Sequence, residues 1–414
     1  MQLILTASVL ALTAPATAKT IHVAPSADDQ EAIQIALIEA EPGDVVHLSS
    51  GTYTLSDGLS LDVDNVVVRG DGPDETVLTF KDQEGAGEGL LVTSDRVLLT
   101  GFAIEDTRGD GIKAKGVDRI TFDNLRAEWT NGPDPDNGAY GFYPVESTNV
   151  LIQDSEVIAC SDAGVYVGQS DNIVVRRNNV HHNVAGIEIE NSTNADVYDN
   201  VAWANTGGVL VFDLPDLPKM GGHSTRIFDN VIVNNNTPNF ASIGNIVQEL
   251  PAGTGVIVMA NRNVHVFDNI FDGNDGTQVM VIAYTREFTD PDYNPLPRDI
   301  VVRDNSFGRG GTAPTFEGGA ELAAALGGAL PPVMWDGAES FKRGDTTISD
   351  PLTMSFDVPA VTLGLTTAGQ SRLTGEIGMV ETAGGPAITE PAPVVLPADQ
   401  PGLGDTAIAM ASGQ

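Results

Sequence analysis

The chain has a single cysteine, Cys160, in 414 residues, so no intramolecular disulfide can staple it. Positive charge is scarce: 21 Lys and Arg stand against 57 Asp and Glu, a formal charge of −36. That balance argues against nucleic acid as a partner, because phosphate binding needs a basic face. It also repels a polyanionic polysaccharide, except where positive charge is gathered locally, and the plain reading of the acidity is solubility in salty surroundings. Aromatic residues make up 6%. After the first 18 residues no apolar run is long enough to cross a bilayer, so no transmembrane segment is expected. The motifs HExxH, CxxC, GxSxG and the P-loop are all missing, which removes the common zinc-protease, redox, nucleophile-elbow and nucleotide chemistries.

What the chain does have is a repeat. Between Asp171 and Gly208 one phrase occurs twice: Asn178, Asn183 and Gly186, then Asn200, Asn205 and Gly208, each pair offset by 22 residues. Each copy holds three short apolar runs that alternate with polar residues, which is strand period rather than helix period. A fixed period near twenty residues with Asn at a turn predicts an all-β solenoid of parallel strands, a parallel β-helix. A glycine opens one strand in most coils: Gly58, Gly89, Gly111, Gly141, Gly164, Gly186, Gly208 and Gly255. Val66, Val97, Ile120, Val150, Ile173, Val197, Ile227, Val264 and Ile300 mark a second strand row. The turn after it carries Asn124, Asn178, Asn200, Asn230, Asn269 and Asn305, whose stacked amides are expected to hydrogen-bond along the axis. Cys160 takes the turn position of Asn183 and Asn205 and reads as a buried spacer, since no His or metal-ligand spacing surrounds it.

Residues 1–18 are apolar and end Ala16-Thr17-Ala18, the pattern of a secretory signal peptide, so a secreted or periplasmic location is expected. Residues 27–41 place Ile33, Ala36, Leu37 and Ala40 on one helical face, followed by PGDVVHLSSGTY at 42–53. This order resembles the N-terminal cap of right-handed parallel β-helix proteins of the pectate-lyase-like class. A cap shields the core and strand edges that an open solenoid end exposes. The division expected is a β-helix over 19–310, a capping or irregular region over 311–383 with a short helix near 318–330 and Trp335 packed on the last coil, and a Pro- and Ala-rich disordered tail over 384–414. A monomer is expected.

Four insertions, at 130–139, 213–224, 237–253 and 284–298, flank the glycine-marked strand and should rim it. With the residue after each glycine pointing inward, alternation puts Leu91, Lys113, Tyr143, Tyr166, Glu188, Leu210 and Ile257 on one outward row. Thr93, Lys115, Val145, Gly168, Glu190, Phe212 and Met259 form the next. The chain has only six lysines, yet Lys113 and Lys115 share one strand and precede two coils of outward tyrosine and a strand with two outward glutamates. Lysine beside tyrosine would lower the phenol's pKa and bind a substrate carboxylate, and tyrosine faces suit sugar stacking. The competing reading is a solvated sheet face with no chemistry.

The run Tyr140-Gly141-Phe142-Tyr143-Pro144-Val145 resembles the YGFDPH strand motif of mannuronan C5-epimerases. That resemblance implies Tyr140 as the family's tyrosine and Lys113 or Lys115 as its lysine, while Tyr143 and Val145 stand where the family has Asp and His. Over 20–310 the chain is similar to secreted bacterial parallel β-helix repeat proteins, a family defined by its repeats. The candidate catalytic residues are therefore Lys113, Lys115, Tyr140, Tyr143 and Tyr166. Glu188 and Glu190, with Asp213, Lys219 and His223 on the second insertion, are the candidate substrate contacts. No cofactor and no metal site is expected. Asp134 with Asp136, or Asp290 with Asp292, could offer Ca²⁺ hard oxygen ligands, but turn formation explains them more simply. Adjacent His181 and His182 should point apart and serve packing or surface. Two functions compete: a secreted glycan-binding or glycan-active protein, as a lyase or epimerase on a uronate-containing polysaccharide, and a noncatalytic structural or interaction protein of the cell envelope.

Overall fold

The computed structural model describes residues 18–85, 87–349, 353–362, 378–381 and 388–403. The leader expected at 1–18 lies outside them but for its last residue. The chain coils into three long sheets of thirteen, eleven and ten strands, in which each strand pairs with the strand one coil before and one coil after. All these pairings are parallel except the last of the thirteen-stranded sheet, between Thr353–Phe356 and Gly378–Glu381. The eleven-stranded sheet contains the glycine-marked strands, the thirteen-stranded sheet contains the Val/Ile row, and the ten-stranded sheet has mostly three-residue strands. Inward residues from all three, among them Ile112, Phe142, Val165, Ile187, Ile173, Val197, Val180 and Ile232, fill one continuous apolar core. The registers match those expected: Lys113 faces Leu91 and Tyr143, Tyr166 faces Glu188, and Glu188 faces Leu210.

The glycine row has a steric cause. A Cβ on Gly111 would sit 2.6 Å from the Gly141 carbonyl oxygen, and one on Gly186 would sit 2.6 Å from that of Gly208. Such contacts repeat from coil to coil, so only glycine lets the coils close at normal sheet spacing. Asparagine builds two ladders. In the first, Asn178, Asn200, Asn230 and Asn269 each give Nδ2 and backbone N–H to the Oδ1 of the next coil's asparagine, ending at Asn305. Asn124 is not in it: it has positive φ and precedes Leu125, whose N–H donates to Ser155 in the ladder row. The second ladder runs Asn183, Asn205, Asn235, Asn274, with Cys160 at its head donating its N–H to Asn183. Each rung satisfies buried backbone groups at a turn that has no sheet partner for them.

The helix Asp29–Glu39 lays Ile33, Ala36 and Leu37 over the first coil. At the other end the coil outlasts its sequence period. Val333–Trp335 and Ala360–Thr362 extend the glycine sheet, Thr353–Phe356 extends the thirteen-stranded sheet, and Gly319–Ala325 is helical. Trp335 is therefore a strand residue inside the core rather than a lid on it. The expectation of disorder fails for 388–403. This segment lies across the thirteen-stranded sheet, with Gln400 fully buried and donating to the Ile120 and Asn149 carbonyls. Prolines keep it out of a ladder, while side chains of the sheet supply its bonds.

Candidate functional site

Along the glycine sheet the outer face changes character. In the strand Ile112–Lys115 burial alternates, with Lys113 half-buried and Lys115 exposed. In Ala163–Gly168, Ala185–Glu190, Gly207–Phe212 and Thr254–Met259 every residue is buried. The insertions do not merely rim this face; they fold over it. Leu210, Phe212, Ile257, Met259 and Met280 pack against Val247, Leu250, Tyr284, Phe288 and Tyr293 in a second apolar core outside the coil. Ser242 of the third insertion donates to the Pro135 carbonyl of the first at 2.6 Å, and Tyr293 of the fourth donates to the Asp213 carbonyl at 2.6 Å.

Three tyrosines stand where the cover ends. Ring centroids are 4.6 Å apart for Tyr140 and Tyr143, 4.4 Å for Tyr140 and Tyr166, and 5.0 Å for Tyr143 and Tyr166. Lys113 Nζ lies 4.8 Å from the Tyr143 ring centroid and is held by Glu88 at 2.9 Å and Asp110 at 3.7 Å. The expected lowering of a tyrosine pKa is not what this geometry produces. The ammonium sits over the ring and is already matched by two acids, so burial, with Asp110, Glu190, Glu146 and Glu88 around it, pushes Tyr143 up to about 12. Burial and the acids Asp162, Glu188 and Glu190 raise Tyr140 well above the ordinary phenol, and Tyr166 likewise. All three phenols stay protonated at neutral pH and are proton donors.

Beneath the cover lies a set of carboxyls. Tyr166 donates to Glu190 Oε1 at 2.6 Å, and Tyr140 faces Asp162 Oδ2 at 3.4 Å. Asn245 of the third insertion donates to the same Asp162 oxygen at 2.9 Å. Both side-chain oxygens of Glu188 are buried without a hydrogen-bond partner among the described residues. Burial, with Asp162 and Glu190 close by, raises its carboxyl well above the ordinary carboxylate range. Burial also pushes Glu190 up to about 7, Asp162 to about 8, and Asp110 and Asp213 to about 6.

The outward row Lys113, Tyr143, Tyr166, Glu188 is thus assembled as expected, but Tyr166, Glu188 and Glu190 are closed off rather than lining an open groove. Asp213 joins them, accepting from the Gly222 N–H at 2.7 Å. Lys219 and His223 do not. Lys219 Nζ binds the Ser170 carbonyl at 2.7 Å, and His223 meets Ser224 at 2.8 Å, both at the starts of central strands of the thirteen-stranded sheet. Lys115 faces solvent with Glu146 at 4.0 Å. His181 and His182 do not point apart: positive φ at His182 breaks the alternation and brings the two Nδ1 atoms to 2.8 Å. Asp134 and Asp290 accept the N–H of Asp136 and Asp292, closing turns. Among the described residues no group of three or more His, Cys, Asp or Glu is arranged to hold a metal ion. Sequence reasoning missed Asp110 and Asp162. Their signal was position: an acid one or two places before a row glycine, at the entry of the strand.

The right handed beta helix region family model matches residues 76–216 and 136–307, together more than half of the chain, and the chain belongs to that family. No curated protein matches the sequence significantly. Among solved structures the chain is similar to the A-module of the mannuronan C-5 epimerase AlgE4 of Azotobacter vinelandii, at 17% identity and TM-score 0.53, over 75% of this chain and 87% of that one. It is also similar to a polygalacturonase from Erwinia carotovora ssp. carotovora, at 13% identity and TM-score 0.48, over 73% of this chain and 95% of that one. At these identities the likeness is one of fold. No helix among the described residues is long and apolar enough to cross a membrane.

Proposed function

We propose that the chain is a carbohydrate-active β-helix protein that lays a polysaccharide along the uncovered half of its glycine sheet, over Leu91, Lys113 and Tyr143, outside the cytoplasm. The observation that carries this reading is the tyrosine trio at the boundary of the cover. Tyr140 and Tyr143 of this trio keep partly exposed aromatic surface beside one lysine network, on a sheet whose insertions shape a face. The epimerase neighbour, whose name gives mannuronan as its substrate, supports a glycan of the uronate class, as does the exposed ammonium of Lys115. On such a chain Lys115 meets a sugar carboxylate, Tyr143 donates a proton, and Asp110, at about 6, takes one up. Lyase or C5-epimerase chemistry fits that arrangement.

The second reading, a noncatalytic glycan-binding or envelope protein, is favoured by one specific feature: Lys113 is neutralised by Glu88 and Asp110, and Glu188 and Glu190 are sealed from substrate. Incubation of the purified protein with alginates, pectins and neutral glycans separates the two. Unsaturated product or solvent-proton exchange at C5 establishes turnover, retention without turnover establishes binding alone, and neither removes the glycan reading.

A further inference from the structure

The outer face of the thirteen-stranded sheet carries a continuous row: Leu98, Thr121, Leu151, Val174, Asp196, Arg226, His265 and Val301 are in register coil by coil. None of these side chains belongs to the internal core, yet all are buried. Residues 388–403, ITEPAPVVLPADQPGL, lie on them. From 388 to 397 the segment has no sheet pairing, and turns at 398–399 and 401–402 end it. Its prolines at 391, 393, 397 and 401 favour the extended polyproline conformation, which leaves backbone groups free for side chains of a host surface.

The contacts run the length of the row. Glu390 is clasped by Arg303 at 2.9 Å and Arg226 at 3.5 Å. The Val394 N–H donates to Asp196 at 3.0 Å, and Asn172 donates to the Val395 carbonyl at 3.2 Å. Gln400 donates to the Ile120 carbonyl at 3.1 Å and the Asn149 carbonyl at 3.2 Å, and Thr121 donates to the Pro401 carbonyl at 2.6 Å. Asp399 meets Arg119 at 3.5 Å and Arg96 at 3.8 Å. In a chain with 21 basic residues, four arginines on one sheet face the two acids of this segment. Charge at both ends, a buried glutamine and a backbone read by side chains are the features of a peptide site rather than of a fortuitous cover.

We infer that the outer face of the thirteen-stranded sheet is a binding groove for an extended proline-rich peptide, and that its resident ligand is the chain's own residues 388–403. The groove is independent of the glycine sheet and of any glycan. The test uses the full chain carrying Glu390→Ala and Gln400→Ala, which loosens the resident segment, and a fluorescent peptide of residues 388–403 added in trans. A site occupied nine-tenths of the time binds about tenfold more weakly than an empty one. The double variant is therefore expected to bind the peptide saturably and at least about tenfold more tightly than the wild type. Hydrogen exchange at the Val394 amide reports whether the segment has left, and Asp399→Ala, on the segment itself, is added where it has not. A loosened chain that binds no peptide, or equal binding by wild type and variant, overturns the inference.

Discussion

The two halves of the glycine sheet share a backbone and differ in everything outside it. Around Lys113 the outward side chains are ionic and partly wet, and the strand alternates buried with exposed. From Tyr166 to Met259 the same row is apolar or protonated and every strand residue is buried. The backbone did not make this difference, since the next coil's carbonyl oxygen would lie 2.6 Å from a Cβ on Gly111 and on Gly186 alike. The insertions made it. A covered half can hold Glu188 and Glu190 with carboxyls raised above their ordinary range because water is excluded there. An uncovered half can offer Lys115 and the exposed part of Tyr143 to a ligand because no insertion folds over them.

The largest effect that would sharpen the contrast comes from one residue type placed in both halves. Leu210→Ala, under the cover, should cost about 2–5 kcal/mol in chemical denaturation. Leu91→Ala, on the same row in the uncovered half, should cost less than about 1 kcal/mol. Equal losses would mean that the two faces do not differ in packing. Next come Gly111→Ala and Gly186→Ala, each expected to cost about 1–3 kcal/mol because the new Cβ meets a carbonyl of the next coil. Gly186→Ala should cost the more of the two, because its Cβ also meets Asn205 Nδ2 and Val180 Cγ2 at 3.0 Å, and a larger loss at Gly111 would place the contrast in the backbone after all.

The pH dependence is smaller and follows from the buried acids. Burial raises Glu190 from an ordinary 4.5 to about 7 and Asp162 from 3.8 to about 8. Over that window the folded chain keeps protons that the unfolded chain has released. Stability therefore falls as pH rises from about 4 through about 8. Thermal unfolding of Glu190→Gln should show a flatter slope across this range than the wild type, and an unchanged slope would refute the assignment. The smallest structural effect is expected for Lys115→Ala: stability within about 0.5 kcal/mol, with weaker retention of uronate-containing glycan on an affinity column.

The coil was legible because its determinants are local and repeated. Glycine at the close approach, asparagine at the ladder turn and Val or Ile inside recur at fixed spacing, so the strand registers could be written from residue numbers alone. Asn124 went astray because the left-handed position and the ladder position are adjacent and both take asparagine. His182 did so because one left-handed residue undoes strand alternation. The outward row was legible too, as Lys113, Tyr143, Tyr166 and Glu188 show. Its exposure was not, because spacing tells where an insertion leaves the coil and not whether it folds back. The ionisation of Tyr143 and Glu190 depends on that fold-back and could not be read before it. The proline-rich segment 388–403 looked structureless because its partners are side chains of distant coils, which leave no periodic mark on it.

The central claim is that the uncovered half of the glycine sheet is the surface a glycan meets. Backbone hydrogen exchange measured with and without a uronan tests it directly. The account predicts added protection at residues 88–93, 110–115 and 140–145, with 207–212 and 254–259 unchanged because they are already closed. Protection confined to the thirteen-stranded or ten-stranded sheet, or none with any glycan, would contradict it.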